Sequence, residues 1–215
     1  MADRVYLAAT RLDENPQSFV MLGGAGLSAA LALVEEDGGC AGFMGEGVAG
    51  DAASLVEPVF GYGAIAACPA VWAIGAAASS DGMEETGRDL TDGLLLSYGL
   101  VGTLKLCIPR ERPDGSDSMS FPSAHSAAAA AIAAVLWQRH GAPAGAPAAL
   151  AAAWTALSRV HTGRHRPSEV VAGLAIGAAC GLAAAEGDGG SGECPLRGFA
   201  VGIVLDGDGW GVTLR

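Results

Sequence analysis

Basic residues are scarce. Twelve Lys and Arg stand against 23 Asp and Glu, giving a formal net charge of −11. A surface of that sign excludes a general nucleic-acid-binding face. Aromatic residues make up only 6% of the chain, whereas hydrophobic residues of all kinds reach 51%. The mean hydropathy of +0.37 is high for a soluble protein. The five cysteines, Cys40, Cys68, Cys107, Cys180 and Cys194, lack any paired metal-ligand spacing. Cys68, Cys107 and Cys180 lie in apolar stretches and read as small buried hydrophobes. Cys40 and Cys194 are left open as a disulfide pair. A standard signal peptide is missing too: the first long apolar run starts late and has no clear cleavage site, so it reads as a retained anchor or as following a truncated start.

What is there is apolar and segmented. Six stretches free of Asp, Glu, Lys and Arg run Pro16–Val34, Pro58–Ser80, Gly93–Leu104, Met119–Gln138, His140–Ser158 and Val170–Ala185. A membrane-spanning helix needs about 20 mostly apolar residues, with a range of about 17 to 25, and four of the six have that length. The expected fold is all-α, a bundle of about six helices embedded in a membrane. Arg4, Arg11, Arg88 and Arg139 fall in loops that would share the cytoplasmic side. The acidic stretches 35–57 and 81–92 read as solvated linkers. In the tail, two β-prone runs flank Asp206-Gly207-Asp208-Gly209, a hairpin signal. The expected division is a helical domain over 1–190 and a tail over 191–215. Asp206 and Asp208 make a poor calcium loop, since the remaining ligands are missing.

Three charged or polar clusters lie between Lys105 and Glu169, and the first and third hold six of the twelve cations. The first runs Lys105 to Arg112-Pro113 and the second is Pro122-Ser123-Ala124-His125. The third is Ser158-Arg159, then His165, then Glu169. An acidic chain that gathers its cations is holding an anion. Pro122 and Pro167 read as first residues of helices, whose N-terminal amides favour phosphate; Ser123 and Ala124 would offer such amides. His165 reads as a nucleophile toward phosphorus, with Glu169 holding its other ring nitrogen. His125 reads as the acid that protonates the leaving oxygen. Lys105, Arg112 and Arg159 would neutralise the phosphoryl oxygens, with no metal or cofactor required. His140 and His161 read as packed or solvated residues, and Arg110, Arg164 and Arg166 as rim charges.

These clusters resemble the signature of the type-2 phosphatidic acid phosphatase and vanadium haloperoxidase superfamily. That signature is Lys, six residues, Arg-Pro; then Pro-Ser-Gly-His; then Ser-Arg, five residues, His, three residues, Asp. The chain departs at Ala124, where the family has Gly, and at Glu169, where it has Asp. The resemblance implies a metal-independent phosphatase that works through a phosphohistidine on a lipid phosphate or pyrophosphate. It also implies inhibition by vanadate, while the charge pattern of the loops puts the three clusters on the opposite face, toward the periplasm or exterior. Three alternatives stay open: a soluble periplasmic acid phosphatase of the same fold, a vanadate-dependent peroxidase, and a non-catalytic helical phosphate-binding protein.

Overall fold

The computed structural model describes residues 16–35, 58–186, 201–206 and 209–214. Arg4, Arg11, Cys40, Cys194, most of the 35–57 stretch and the Asp208 position lie outside them. The helices are α1 (Pro16–Ala32), α2 (Ala64–Ala77), α3 (Asp81–Cys107), α4 (Ala124–His140), α5 (Ala142–His161) and α6 (Pro167–Glu186), with a π-helical turn at Pro58–Gly63 leading into α2. Two strands, β1 (Val201–Asp206) and β2 (Gly209–Leu214), pair antiparallel with Asp206 opposite Gly209.

The six apolar stretches each lie in or around one helix, with one correction. The acidic residues Asp81 to Asp92 are not a linker but the first half of α3. Asp81 and Glu84 sit in its first turn, where carboxylates complement the helix dipole. Asp89 is buried against Arg139 of α4, which also reaches Glu85 at 3.1 Å. His140 closes the same end by meeting Thr86 Oγ1 at 3.1 Å. Cys68 is buried as expected, whereas Cys107, on the outer side of the last turn of α3, is exposed.

At the centre lies α4, which packs on α3, α5 and α6. Its run Ala127–Ala131 is buried nearly all round, the pattern of a core helix. Small side chains on α4 and glycines on α6 let the two backbones come close. A Cβ placed on Gly177 would lie 1.9 Å from the Ala127 carbonyl oxygen, and one on Gly181 would lie 2.4 Å from that of Ala131. Spacing of four residues between Gly173, Gly177 and Gly181 puts all three on one helix face.

This packing collects one set of helix ends. The last turns of α3 and α5 meet the first turns of α4 and α6, and the three clusters lie in these turns and in the connections between them.

Candidate active site

His165 sits in the short connection between α5 and α6. Gly163, at φ 67°, ends α5 in the left-handed conformation that glycine adopts without strain. The Arg164 and His165 amides then both donate to the Arg159 carbonyl at 3.1 Å. This pins the backbone of His165 beneath the last turn of α5. Pro167 opens α6, as expected. Glu169 stands in the first turn, with its side chain fully buried.

The two side chains meet. His165 Nδ1 lies 3.0 Å from Glu169 Oε2. The carboxylate accepts hydrogen bonds, so Nδ1 carries the proton and Nε2 keeps its lone pair. Nε2 lies 3.3 Å from Arg112 Nη1. Burial is the largest influence on His165 and pushes its pKa down to about 4; the Glu169 hydrogen bond and charge pull it back up, and Arg112 and Lys105 push it down again. The imidazole is therefore neutral at physiological pH.

The longer Glu169 in place of Asp does not break this contact. Its carboxylate is held from several sides. Oε2 accepts from the Ser120 hydroxyl and from the Arg166 amide at 3.1 Å. Oε1 accepts from Arg166 Nη1 at 3.2 Å and faces Arg110 Nε at 3.4 Å. Arg166 and Arg110 are thus not rim charges; they neutralise a buried carboxylate. Arg164, paired with Asp114 at 2.9 Å and half exposed, fits the rim description.

Arg112 reaches the site from the loop after α3. Asp117 holds its Nε at 2.8 Å and the Arg164 carbonyl lies 3.3 Å from Nη1. Lys105, in the last turn of α3, donates to the carbonyls of Met119 and, at 3.5 Å, Ser120. Arg159 is buried in the last turn of α5, and its own carbonyl is the one that pins His165.

The second cluster differs in detail from expectation. Helix α4 starts at Ala124, so Pro122 precedes the N-cap residue Ser123 and is not the first helical residue. The Ser123 amide is not available to a phosphate: it donates to the Glu169 carbonyl at 3.0 Å. Its hydroxyl oxygen accepts from the Ser126 amide, capping α4. Ser123 thus ties α4 to α6. A Cβ on Gly173 would come within 2.4 Å of the Ser123 carbonyl oxygen, so the same contact explains a glycine there. Ala124 has ordinary negative φ, since Ser79 is the one positive-φ residue other than glycine among the described residues. Its methyl group is therefore tolerated where the family has Gly. His125 follows in the first turn of α4, half-buried.

Sequence reasoning missed Ser120, whose hydroxyl reaches Glu169, and Glu35. The Glu35 side chain is buried after α1 and accepts from Ser168 at the start of α6 and from Arg110.

Comparison with known proteins places this arrangement. Residues 87–187 match the PAP2 superfamily. The lipid A 1-phosphatase of Porphyromonas gingivalis is 34% identical over 88 residues, covering 40% of this chain and 20% of that protein. The decaprenylphosphoryl-5-phosphoribose phosphatase of Mycobacterium tuberculosis is 33% identical over 98 residues, covering 41% and 54%. That of Mycolicibacterium smegmatis is 38% identical over 90 residues, covering 38% and 48%. The chain thus matches between a fifth and about half of the length of these relatives. The crystal structure of Aquifex aeolicus LpxE shares the fold, with a TM-score of 0.55 at 20% identity, over 74% of this chain and 92% of that one. The segment that carries His125, His165 and Glu169, residues 87–187, is thus similar to the PAP2 superfamily of type-2 phosphatidic acid phosphatases.

Proposed function

We propose that the protein is a phosphatase that hydrolyses a phosphomonoester or pyrophosphate of a lipid, without a metal, through a phosphohistidine. One observation carries the reading: a buried, neutral imidazole donates a hydrogen bond from Nδ1–H to the Glu169 carboxylate and turns Nε2 toward a guanidinium. In the first step Nε2 forms a bond to phosphorus while the bond to the leaving oxygen breaks, and His125 gives that oxygen a proton. In the second, His125 takes a proton from water, the water oxygen bonds to phosphorus, and the P–N bond breaks to release inorganic phosphate and neutral His165. Glu169 stabilises the imidazolium that forms between the steps. Lys105, Arg112 and Arg159 neutralise the oxygens of the transferring group, which is usually the largest catalytic contribution. The Ala124 amide at the start of α4 adds a helix N-terminus.

A lipid substrate is supported by what surrounds the cations. Leu106, Ile108 and Met119 are exposed beside Lys105 and Arg112, an apolar rim on which an acyl or prenyl chain can lie while its phosphate enters. The names of the relatives point the same way, to lipid A and to a decaprenyl phosphoribose.

The test is turnover of p-nitrophenyl phosphate and of a panel of lipid phosphates. Activity should survive EDTA, fall with vanadate, and vanish in His165→Ala. Labelled phosphate should be trapped on the wild type in an acid-labile form and be absent from the variant. Label on Ser or Asp, or activity lost to EDTA and restored by magnesium or zinc, would overturn the mechanism. Vanadate-dependent bromide oxidation would point to the peroxidase branch.

A further inference from the structure

The Glu35 side chain, 4% exposed, lies outside the three clusters and accepts three hydrogen bonds. It follows α1 and lies against the first turn of α6. Oε1 accepts from the Ser168 amide at 2.5 Å; Oε2 accepts from the Ser168 hydroxyl at 2.6 Å and from Arg110 Nη2 at 3.0 Å. Arg110 Nη1 also donates to the Ser168 hydroxyl at 2.9 Å. The same guanidinium presents Nε to Glu169 Oε1 at 3.4 Å. Arg110 therefore bridges two buried carboxylates, one from α6 and one from the segment after α1. Ser168 directly precedes Glu169, and its carbonyl is held by the Ser28 hydroxyl of α1 at 2.9 Å.

From this geometry we infer that Glu35 is a positioning residue for the His165–Glu169 pair, acting through Arg110 and through the start of α6. The inference rests on the phosphatase reading of the site for its catalytic consequence. Two things follow from the bonding. Glu35 fixes the first turn of α6, and with it the backbone of Glu169. It also shares the charge of Arg110. With Glu35 neutral, Arg110 and Arg166 both act on one carboxylate, Glu169 becomes a poorer acceptor, and the His165 imidazolium loses support. Without Arg110, Glu169 faces one cation fewer and becomes a better acceptor. The two substitutions should act in opposite directions on one hydrogen bond, which loss of packing alone does not do.

The experiment reads that bond directly. Proton NMR of the purified full chain in detergent should show a downfield line from His165 Nδ1–H, identified by its loss in His165→Ala. Glu35→Gln should move the line upfield and Arg110→Gln downfield, while Glu35→Asp should return it toward the wild-type position. In Glu35→Gln, kcat for p-nitrophenyl phosphate should fall about tenfold, the lower range for removing an outer hydrogen-bond partner. KM should stay within about twofold, because the substrate contacts are untouched. An unmoved line in Glu35→Gln, or no such line in the wild type, overturns the inference. A line that moves with kcat unchanged reduces Glu35 to a helix cap and overturns it equally. A wild type without turnover, but with a line that answers to Glu35, removes the phosphatase reading and leaves the positioning role standing.

Discussion

At the scale of single residues, the Glu169 carboxylate governs what His165 can do. Glu169→Gln keeps the shape but removes the charge, and the amide can donate to Nδ1, stabilising the wrong tautomer. Turnover should fall by about three to four orders of magnitude, as when the carboxylate of a serine-protease triad is neutralised. Glu169→Asp should retain most activity if the backbone of α6 adjusts; the check is the rate of dephosphorylation in all three forms at one pH. Equal rates for Gln and Glu would make the carboxylate a bystander. Protonation of His165 is a separate test. Its folded-state pKa of about 4 lies below the ordinary 6.5, so the unfolded chain takes up the proton first. The contribution to stability is therefore intact above 6.5 and is lost as pH falls from there through about 4. Thermal unfolding midpoints should fall faster with acid in the wild type than in His165→Ala. The positions of Lys105, Arg112, His165 and Glu169 were legible in the sequence because each belongs to a motif with short, fixed spacing. Glu35 was not: its partner Ser168 lies 133 residues away, and no local pattern announces such a pairing. Arg110 and Arg166 were misread for a related reason, since charge in a loop looks solvated until the buried carboxylate it serves is known.

At the scale of elements, the contact between α4 and α6 holds the site together. The Ser123 amide donates to the Glu169 carbonyl at one end, and the Gly173, Gly177 and Gly181 face continues the close approach down both helices. Gly177→Ala puts a methyl group 1.9 Å from a backbone oxygen, where no side-chain rotation gives relief. The helices must separate, at a cost of roughly 1–3 kcal/mol for overpacking, and activity should fall with stability because Glu169 moves with α6. Gly23 and Gly26 of α1 meet nothing within 4 Å, so Ala there should be neutral or stabilising by up to about 1 kcal/mol through helix propensity. Thermal unfolding of the three variants separates the two cases; equal effects would mean that glycine acts only through backbone entropy. The helix count was legible from uncharged runs of the right length. The start of α3 was not, because acidic residues marked as a linker are paired with Arg139 across the bundle, and a charge-free criterion cannot see a buried ion pair.

At the scale of the molecule, the distribution of charge sets an orientation. The site gathers at the end of the bundle formed by the last turns of α3 and α5 and the first turns of α4 and α6. Arg88, early in α3, and Arg139, late in α4, lie at the opposite end. Helix α6 is long and apolar enough to cross a membrane, although half of its apolar window is buried inside the protein. Large apolar side chains also face outward around the bundle, among them Leu22, Ile74, Leu95, Leu150 and Trp154. A belt of that kind marks contact with lipid or with another protein. If the bundle sits in a membrane, the positive-inside rule puts Arg88 and Arg139 in the cytoplasm and opens the site to the periplasm or exterior. Ser116, in the exposed loop between the first two clusters, and Ala142, at the start of α5, then lie on opposite sides of the bilayer. In a chain freed of its native cysteines, Ser116→Cys should react with an impermeant thiol reagent in intact cells, and Ala142→Cys should react only after permeabilisation. The reverse pattern would invert the topology and require a cytoplasmic substrate. Equal labelling of both, with the protein recovered without detergent, would instead assign the apolar belt to contacts with protein and favour the soluble phosphatase of the same fold.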